Sequence, residues 1–274
     1  MSEKLTATNT LRVTRIASVK TENPTTKTYT FKDARCAKAK PGQFLMLWIP
    51  QIDEIPLSIM NTEGNHVSVT VKNVGDATHH LHQMKTGDTI GVRGPFGNHF
   101  TPNNGKVLLV AGGTGTAPLL FLAKQLAVRA KRLSFIVGAK TRNELLFLNQ
   151  FEPLCTEPPT ATTEDGTYGL KCLAAQPLEA LFAEKEKEKF DMVYACGPER
   201  MIRQVFNLTE EHHVTMEASL ERLMRCGIGI CGSCMIGKYR VCKDGPVFNS
   251  PRLRQVKDEL GISKLGFDGN RIPV

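Results

Sequence analysis

The chain has 274 residues, 41% hydrophobic and 23% charged, with a formal net charge of +8 at neutral pH. That size and composition exclude a disordered protein and leave room for two domains and a small third module. The excess Lys and Arg are scattered rather than gathered into a basic, aromatic-bearing stripe, which argues against nucleic acid as a partner.

The opening MSEKLTATNTLRV lacks the apolar stretch of a signal peptide, and no apolar run approaches the roughly 18 residues that span a bilayer. The expectation is a cytoplasmic protein with no membrane insertion. Disulfides are rare in that compartment, so clustered cysteines point to metal binding.

Residues 1 to about 100 read as short strands: TKTYTF, GQFLMLWI, PLSIM, HVSVTVKN and DTIGVRG. Their predicted bounds are Pro41-Gly42, Glu63-Gly64-Asn65, Gly87-Asp88 and Gly94-Pro95. Val67, Val69 and Val71 alternate with Ser68, Thr70 and Lys72, the pattern of an antiparallel sheet with one buried face. From Lys106 the pattern turns to strand-then-helix units: KVLLVAGG with TAPLLFLAKQLAVRA, RLSFIVGAK with TRNELLFLNQF, and DMVYACG with PERMIRQVFNL. Such units predict a parallel sheet covered by helices. EKEKEKF at 184–190 reads as a solvated helix end, and after Val214 a cysteine-rich module begins.

Four of the eight cysteines, Cys226, Cys231, Cys234 and Cys242, follow the spacing C-x4-C-x2-C-x7-C. The first three match the loop that wraps a plant-type 2Fe-2S cluster, and the fourth completes the ligand set. Soft thiolates suit iron and sulfide, and Gly227, Gly229 and Gly232 let the loop curl with its N–H groups toward sulfur. A four-cysteine zinc site, which would make the chain a zinc-stabilised binding module without redox activity, is the alternative. Zinc usually takes two separated C-x2-C pairs, whereas here three ligands crowd one loop. Cys36, Cys155 and Cys172 read as unligated thiols.

VAGGTGTAPLL at 110–120 follows an apolar strand and opens a helix, a setting in which Gly112, Gly113 and Gly115 let a pyrophosphate approach the backbone. Pro118 stands where the Rossmann fingerprint has its third glycine. CGPE, Cys196 to Glu199, ends another strand at the carboxyl edge of the same sheet, where ligands bind in open α/β folds; an ordinary turn with Pro198 opening a helix is the alternative. His79, His80 and His82 read as solvated or capping histidines rather than a metal site.

Taken in order, the strand-rich start, GGTGTAP, CGPE, and SLERLMRCGIGICGSC followed by VCKDGPVF resemble the ferredoxin-reductase-like superfamily. Within it the chain is similar to the iron-sulfur electron-transfer subunits of dihydroorotate dehydrogenase, over roughly residues 10 to 250. The resemblance implies a multidomain β plus α/β protein: an antiparallel FAD-binding β-barrel at 1–103, a parallel-sheet NAD-binding α/β domain at 104–213, a small 2Fe-2S cluster module at 214–254 and a tail at 255–274. It implies FAD on Pro56, Leu57, Ser58, Thr70, Val71 and Lys72, with Ala77 and Thr78 at the next turn. It implies NAD on Gly112, Gly113, Thr114 and Gly115, with Cys196, Gly197, Pro198 and Glu199 bordering the nicotinamide.

The family motif begins with an arginine where this chain has Ile55, leaving Lys72 or Arg93 to supply positive charge to the flavin phosphate. The implied function is electron transfer from the FMN of a catalytic dihydroorotate dehydrogenase subunit, through the cluster and FAD, to NAD+ in pyrimidine biosynthesis. The implied assembly is a hetero-oligomer, expected as a heterotetramer. No residue here reads as a catalytic base for dihydroorotate. The gamma subunit of a soluble hydrogenase, with the same three modules, is the alternative. Arg222, Arg225, Lys238, Arg240 and Lys243 flank the cluster loop and are expected to steer an acidic partner surface.

Overall fold

A computed structural model describes residues 7–183 and 190–274. The charged run at 184–189 lies outside the described residues. Six antiparallel strands, β1 (Arg12–Asn23), β2 (Thr26–Lys32), β3 (Phe44–Ile49), β4 (Asp53–Glu63), β5 (His66–Lys72) and β6 (Thr89–Phe96), close into a barrel in the order β1-β2-β5-β4-β3-β6. Valines 67, 69 and 71 point into it, with Tyr29, Phe31, Leu45 and Leu47. Thr70, on the other face of β5, is also buried, with its hydroxyl 3.1 Å from that of Thr28.

One strand of the barrel lies outside those read from the sequence, and one expected bound is corrected. β1 carries mostly exposed and half-buried residues, so no apolar alternation announces it. Gly94-Pro95 does not end β6: the strand continues to Phe96, and its pairing with β3 shifts register between Phe44 and Met46.

The second domain is a seven-stranded sheet. β7 (Lys106–Gly112), β8 (Arg132–Ala139), β9 (Thr160–Thr163), β10 (Leu170–Lys171), β11 (Met192–Cys196) and β12 (Thr215–Ser219) are parallel in the order β10-β9-β8-β7-β11-β12. Val107 to Val110 are fully buried, because separate apolar cores cover the two faces of the sheet. TRNELLFLNQF forms two short turns, Arg142–Glu144 and Leu148–Phe151, rather than one helix.

The cluster module adds the hairpin β13 (Met235–Ile236) and β14 (Tyr239–Arg240), then returns β15 (Val247–Asn249) to pair antiparallel with β12 at the sheet edge. Residues 214–254 are therefore joined to the dinucleotide sheet by two strands. One core runs through all three parts: Phe44, Met46 and Phe96 of the barrel pack with sheet residues and with Cys234 and Cys242. The tail forms a hairpin, β16 (Ser263–Leu265) with β17 (Arg271–Pro273).

Candidate functional site: two cavities and a cysteine loop

A cavity of about 340 Å³ lies between the barrel and the sheet domain. Its barrel wall includes Ile55, Pro56, Leu57 and Ser58 of β4 with Thr70, Val71 and Lys72 of β5; Thr78, Thr114 and the segment Ser219 to Arg222 also line it. Seven of the eight residues implied for FAD thus face one space. Ala77 does not, and packs against the barrel core instead.

Ile55 lines this cavity without charge. Lys72 brings the cation, held 2.7 Å from Glu144 of the sheet domain. Arg93 does not reach the cavity: its guanidinium is paired with Glu54, with Nε donating at 2.7 Å, and is turned toward the Cys226 carbonyl at 3.4 Å. The space and its polar rim fit the reactive part of a flavin nucleotide.

A second cavity, about 450 Å³, opens at the carboxyl edge of the sheet. Gly112, Gly113, Gly138, Thr162, Glu164 and Pro198 line it with Glu144, and Lys72 lines both cavities. It lies where β7 hands off to β8 on one side and β11 on the other, the switch point at which open α/β sheets take ligands. Not every residue implied for the dinucleotide is here. Thr114 faces the first cavity. A Cβ on Gly115 would stand 2.3 Å from the Cys196 carbonyl oxygen, and one on Gly197 would stand 2.8 Å from Gly112 N, so these glycines let the two turns touch. Cys196 is buried, and burial pushes its thiol up. Glu199 turns away into a buried ion pair with Arg222, 2.8 Å. Cys172, read as a plain thiol, lines the second cavity.

The four cysteines of the loop act on one another electrostatically: Cys231 feels Cys226, Cys234 feels Cys242 and Cys231, and Cys242 feels Cys234 and Cys226. Backbone N–H groups point at sulfur: Ile230 N at Cys226 Sγ and Cys242 N at Cys234 Sγ, both 3.4 Å. Gly227, Gly229 and Gly232 have φ of 72°, 80° and 77°, the left-handed turns that bend the loop inward. Burial opposes ionisation of Cys231, but hydrogen bonding with Ser233 outweighs it and brings the thiol down to about 6. The Cys242 hydrogen bond brings Cys234 down to about 7, and the same bond pushes Cys242 up.

Four thiols in one C-x4-C-x2-C-x7-C loop, with backbone N–H groups aimed at two of the sulfurs, suit a two-iron cluster. The histidines read as capping groups are spread along the helix Asp76–Gln83: His80 contacts the Asp76 carbonyl and His82 that of Val71.

The loop sits on the barrel, since a Cβ on Gly227 would lie 2.9 Å from Met46 Cγ. Its outer edge is open, with Ile230 74% exposed and Cys231 exposed. Arg222 is not part of the basic rim expected around it, because Glu199 and the Ser263 carbonyl hold its guanidinium inside. Arg225 donates to the Phe267 carbonyl, and Arg240 to the Gly229 carbonyl.

Residues 221–254 match the iron-sulfur cluster binding domain of dihydroorotate dehydrogenase B, and residues 109–206 match the oxidoreductase NAD-binding domain. A probable dihydroorotate dehydrogenase B (NAD(+)) electron transfer subunit from Methanocaldococcus jannaschii is 39% identical over 95% of this chain and 97% of its own length. The protein of the same description from Methanothermobacter thermautotrophicus is 36% identical over 97% and 98%. Among solved structures, an NADH-dependent reduced ferredoxin-NADP oxidoreductase superposes with a TM-score of 0.79 at 29% identity, covering 90% of this chain and 94% of that one. A ferredoxin NADP+ reductase from Neisseria gonorrhoeae with bound FAD and NADP shares the fold, with a TM-score of 0.64 at 17% identity over 77% and 99%. With whole-length relatives well above the level at which fold and family diverge, the chain belongs to the family of dihydroorotate dehydrogenase B electron transfer subunits.

Proposed function

We propose that this chain is the NAD-facing electron transfer subunit of a dihydroorotate dehydrogenase, linking the FMN of a catalytic partner to NAD+ in pyrimidine biosynthesis. The observation that supports this reading is the core that Phe44, Met46 and Phe96 of the barrel share with the sheet and with Cys234 and Cys242, in a fold that also carries a flavin-sized cavity and an open sheet edge. A nicotinamide exchanges two electrons at once and a 2Fe-2S cluster one, and a flavin between them converts one into the other.

The residues divide that work. Cys226, Cys231, Cys234 and Cys242 hold the cluster. Pro56, Leu57, Ser58, Thr70 and Val71 form the wall for the flavin, and Lys72 takes the place of the missing arginine toward its phosphate. Gly112 and Gly113 admit the pyrophosphate of NAD(H), with Pro198 at the nicotinamide end. Residues 1–103, 104–213 and 214–254 serve as the three cofactor units, although β12 and β15 of the last complete the sheet of the second.

The partner in this reading is an FMN-containing catalytic subunit, in a cytoplasmic heterotetramer. No helix of the described residues is long and apolar enough to cross a membrane. Co-expression with such a subunit and size measurement of the purified complex test the assignment. Dihydroorotate should reduce NAD+ only when both chains are present, and dependence on a hydrogenase subunit instead would replace this partner.

A further inference from the structure

Three ionisable side chains line the first cavity: Lys72, Arg222 and Glu221. Lys72 is paired with Glu144, and Arg222 is paired with Glu199. Glu221 accepts no hydrogen bond from any described residue. It follows the buried residues Ser219 and Leu220 at the end of β12, and Arg222 after it is buried again. Glu221 alone of these four keeps an exposed surface, and it lies toward the cavity.

Although part of the side chain is exposed, the protein crowding its carboxyl and then the charge of Glu199 push it up from the ordinary value, against a partial pull from Lys264 of the tail. Its charge in turn bears on the Cys196 thiol. The Glu221 side chain thus lines the first cavity within electrostatic reach of Cys196, which opens the CGPE turn, and Pro198 of that turn lines the second cavity. A flavin in the first cavity and a nicotinamide reaching it from the second would exchange hydride on this side.

We infer that Glu221 is the proton-exchanging residue of this junction, an inference that rests on the reading of the first cavity as a flavin site. The electron count requires such a group. Two electrons arriving singly from the reduced cluster carry no proton, whereas the hydride passed to NAD+ is two electrons and one proton. The Glu221 carboxyl gives that proton and is re-protonated from solvent. In the opposite direction NADH delivers hydride, two electrons leave singly to the oxidised cluster, and the Glu221 carboxylate takes up the proton. The charged and titratable groups around it are Arg222 and Glu199, Lys264 from the tail, Cys196 from β11 and Lys72 across the cavity, with Glu259 and Arg271 acting on Arg222 from behind.

The test uses the full chain loaded with FAD and cluster. Wild-type protein that binds no flavin would defeat the flavin reading itself, before any variant is made. Given a loaded wild type, E221Q should keep FAD and iron content, because the amide fills the same space. It should pass electrons from NADH to the cluster about 100-fold more slowly, the usual loss on removing a general acid–base group. The equilibrium midpoint potential of its flavin, titrated against pH, should lose the break set by the carboxyl, and E221D should restore both the break and most of the rate. A wild-type rate in E221Q, a slowed rate with an unchanged potential–pH curve, or loss of FAD from E221Q would each overturn the assignment.

Discussion

Gly113 and Gly115 stand two residues apart in the same turn for different reasons. Gly113 has φ of 54° with nothing within 4 Å of an added Cβ, so it faces open space in the second cavity. Gly115 is pressed against the Cys196 carbonyl. Gly115→Ala should therefore cost about 2 kcal/mol of stability through backbone displacement. Gly113→Ala should cost about 1 kcal/mol through left-handed strain, and should weaken NADH binding where the added methyl meets the pyrophosphate. Urea unfolding and NADH titration of the two variants separate the effects. The sequence shows a glycine-rich turn but not which glycine faces ligand, because that depends on the distant turn at Cys196.

The same scale carries a pH dependence. Asp33 is buried in the barrel; burial raises its carboxyl, but the Arg12 guanidinium at 2.7 Å and the Cys36 N–H at 2.7 Å outweigh it and hold it below the ordinary 3.8. That contribution is complete above the unfolded value and is lost as pH falls through the lower folded value. Asp33→Asn should cost about 2 kcal/mol at neutral pH and flatten the loss of stability below pH about 4, read from urea midpoints across the acid range.

Elements that announce themselves locally were legible. β2, β3, β5, β7, β8 and β11 carry apolar alternation or apolar runs, and the cysteine loop carries its ligands within seventeen positions. What escaped depends on distant partners. β1 has little buried surface of its own and is fixed by pairing with β2 and β6. β15 has three residues and exists because β12 offers an edge. The join between barrel and cluster module is likewise invisible in sequence: the Asn98 side chain donates to the Val247 carbonyl at 2.7 Å and accepts from Val247 N at 2.9 Å. Asn98→Ala removes both bonds and should cost about 2 kcal/mol, at roughly 1 kcal/mol for each hydrogen bond. The expected sign is faster bleaching of cluster absorbance in urea, with the barrel unfolding at its usual midpoint; equal loss of both signals would place the effect in the barrel itself.

Across the whole molecule the order of modules could be read from motifs, whereas their contacts could not. Lys72 and Arg93 were equal candidates to replace the arginine absent at Ile55, and only the fold puts one on the cavity and the other beneath Cys226. The Glu199–Arg222 pair binds the CGPE helix, the cluster segment and, through Ser263, the tail, joining residues that no local pattern connects. These contacts set the cysteine loop against the barrel, whose wall also lines the flavin-sized cavity, and electron passage depends on that closeness. The most direct measurement is anaerobic addition of NADH to the purified chain alone, with iron, sulfide and flavin quantified beforehand and the cluster followed by electron paramagnetic resonance. The account predicts two irons, two sulfides and one FAD per chain, within about a tenth of each ratio after correction for incomplete loading, and a reduced 2Fe-2S signal that appears on NADH addition. A colourless protein holding one zinc, or a loaded cluster that NADH leaves oxidised, would contradict it.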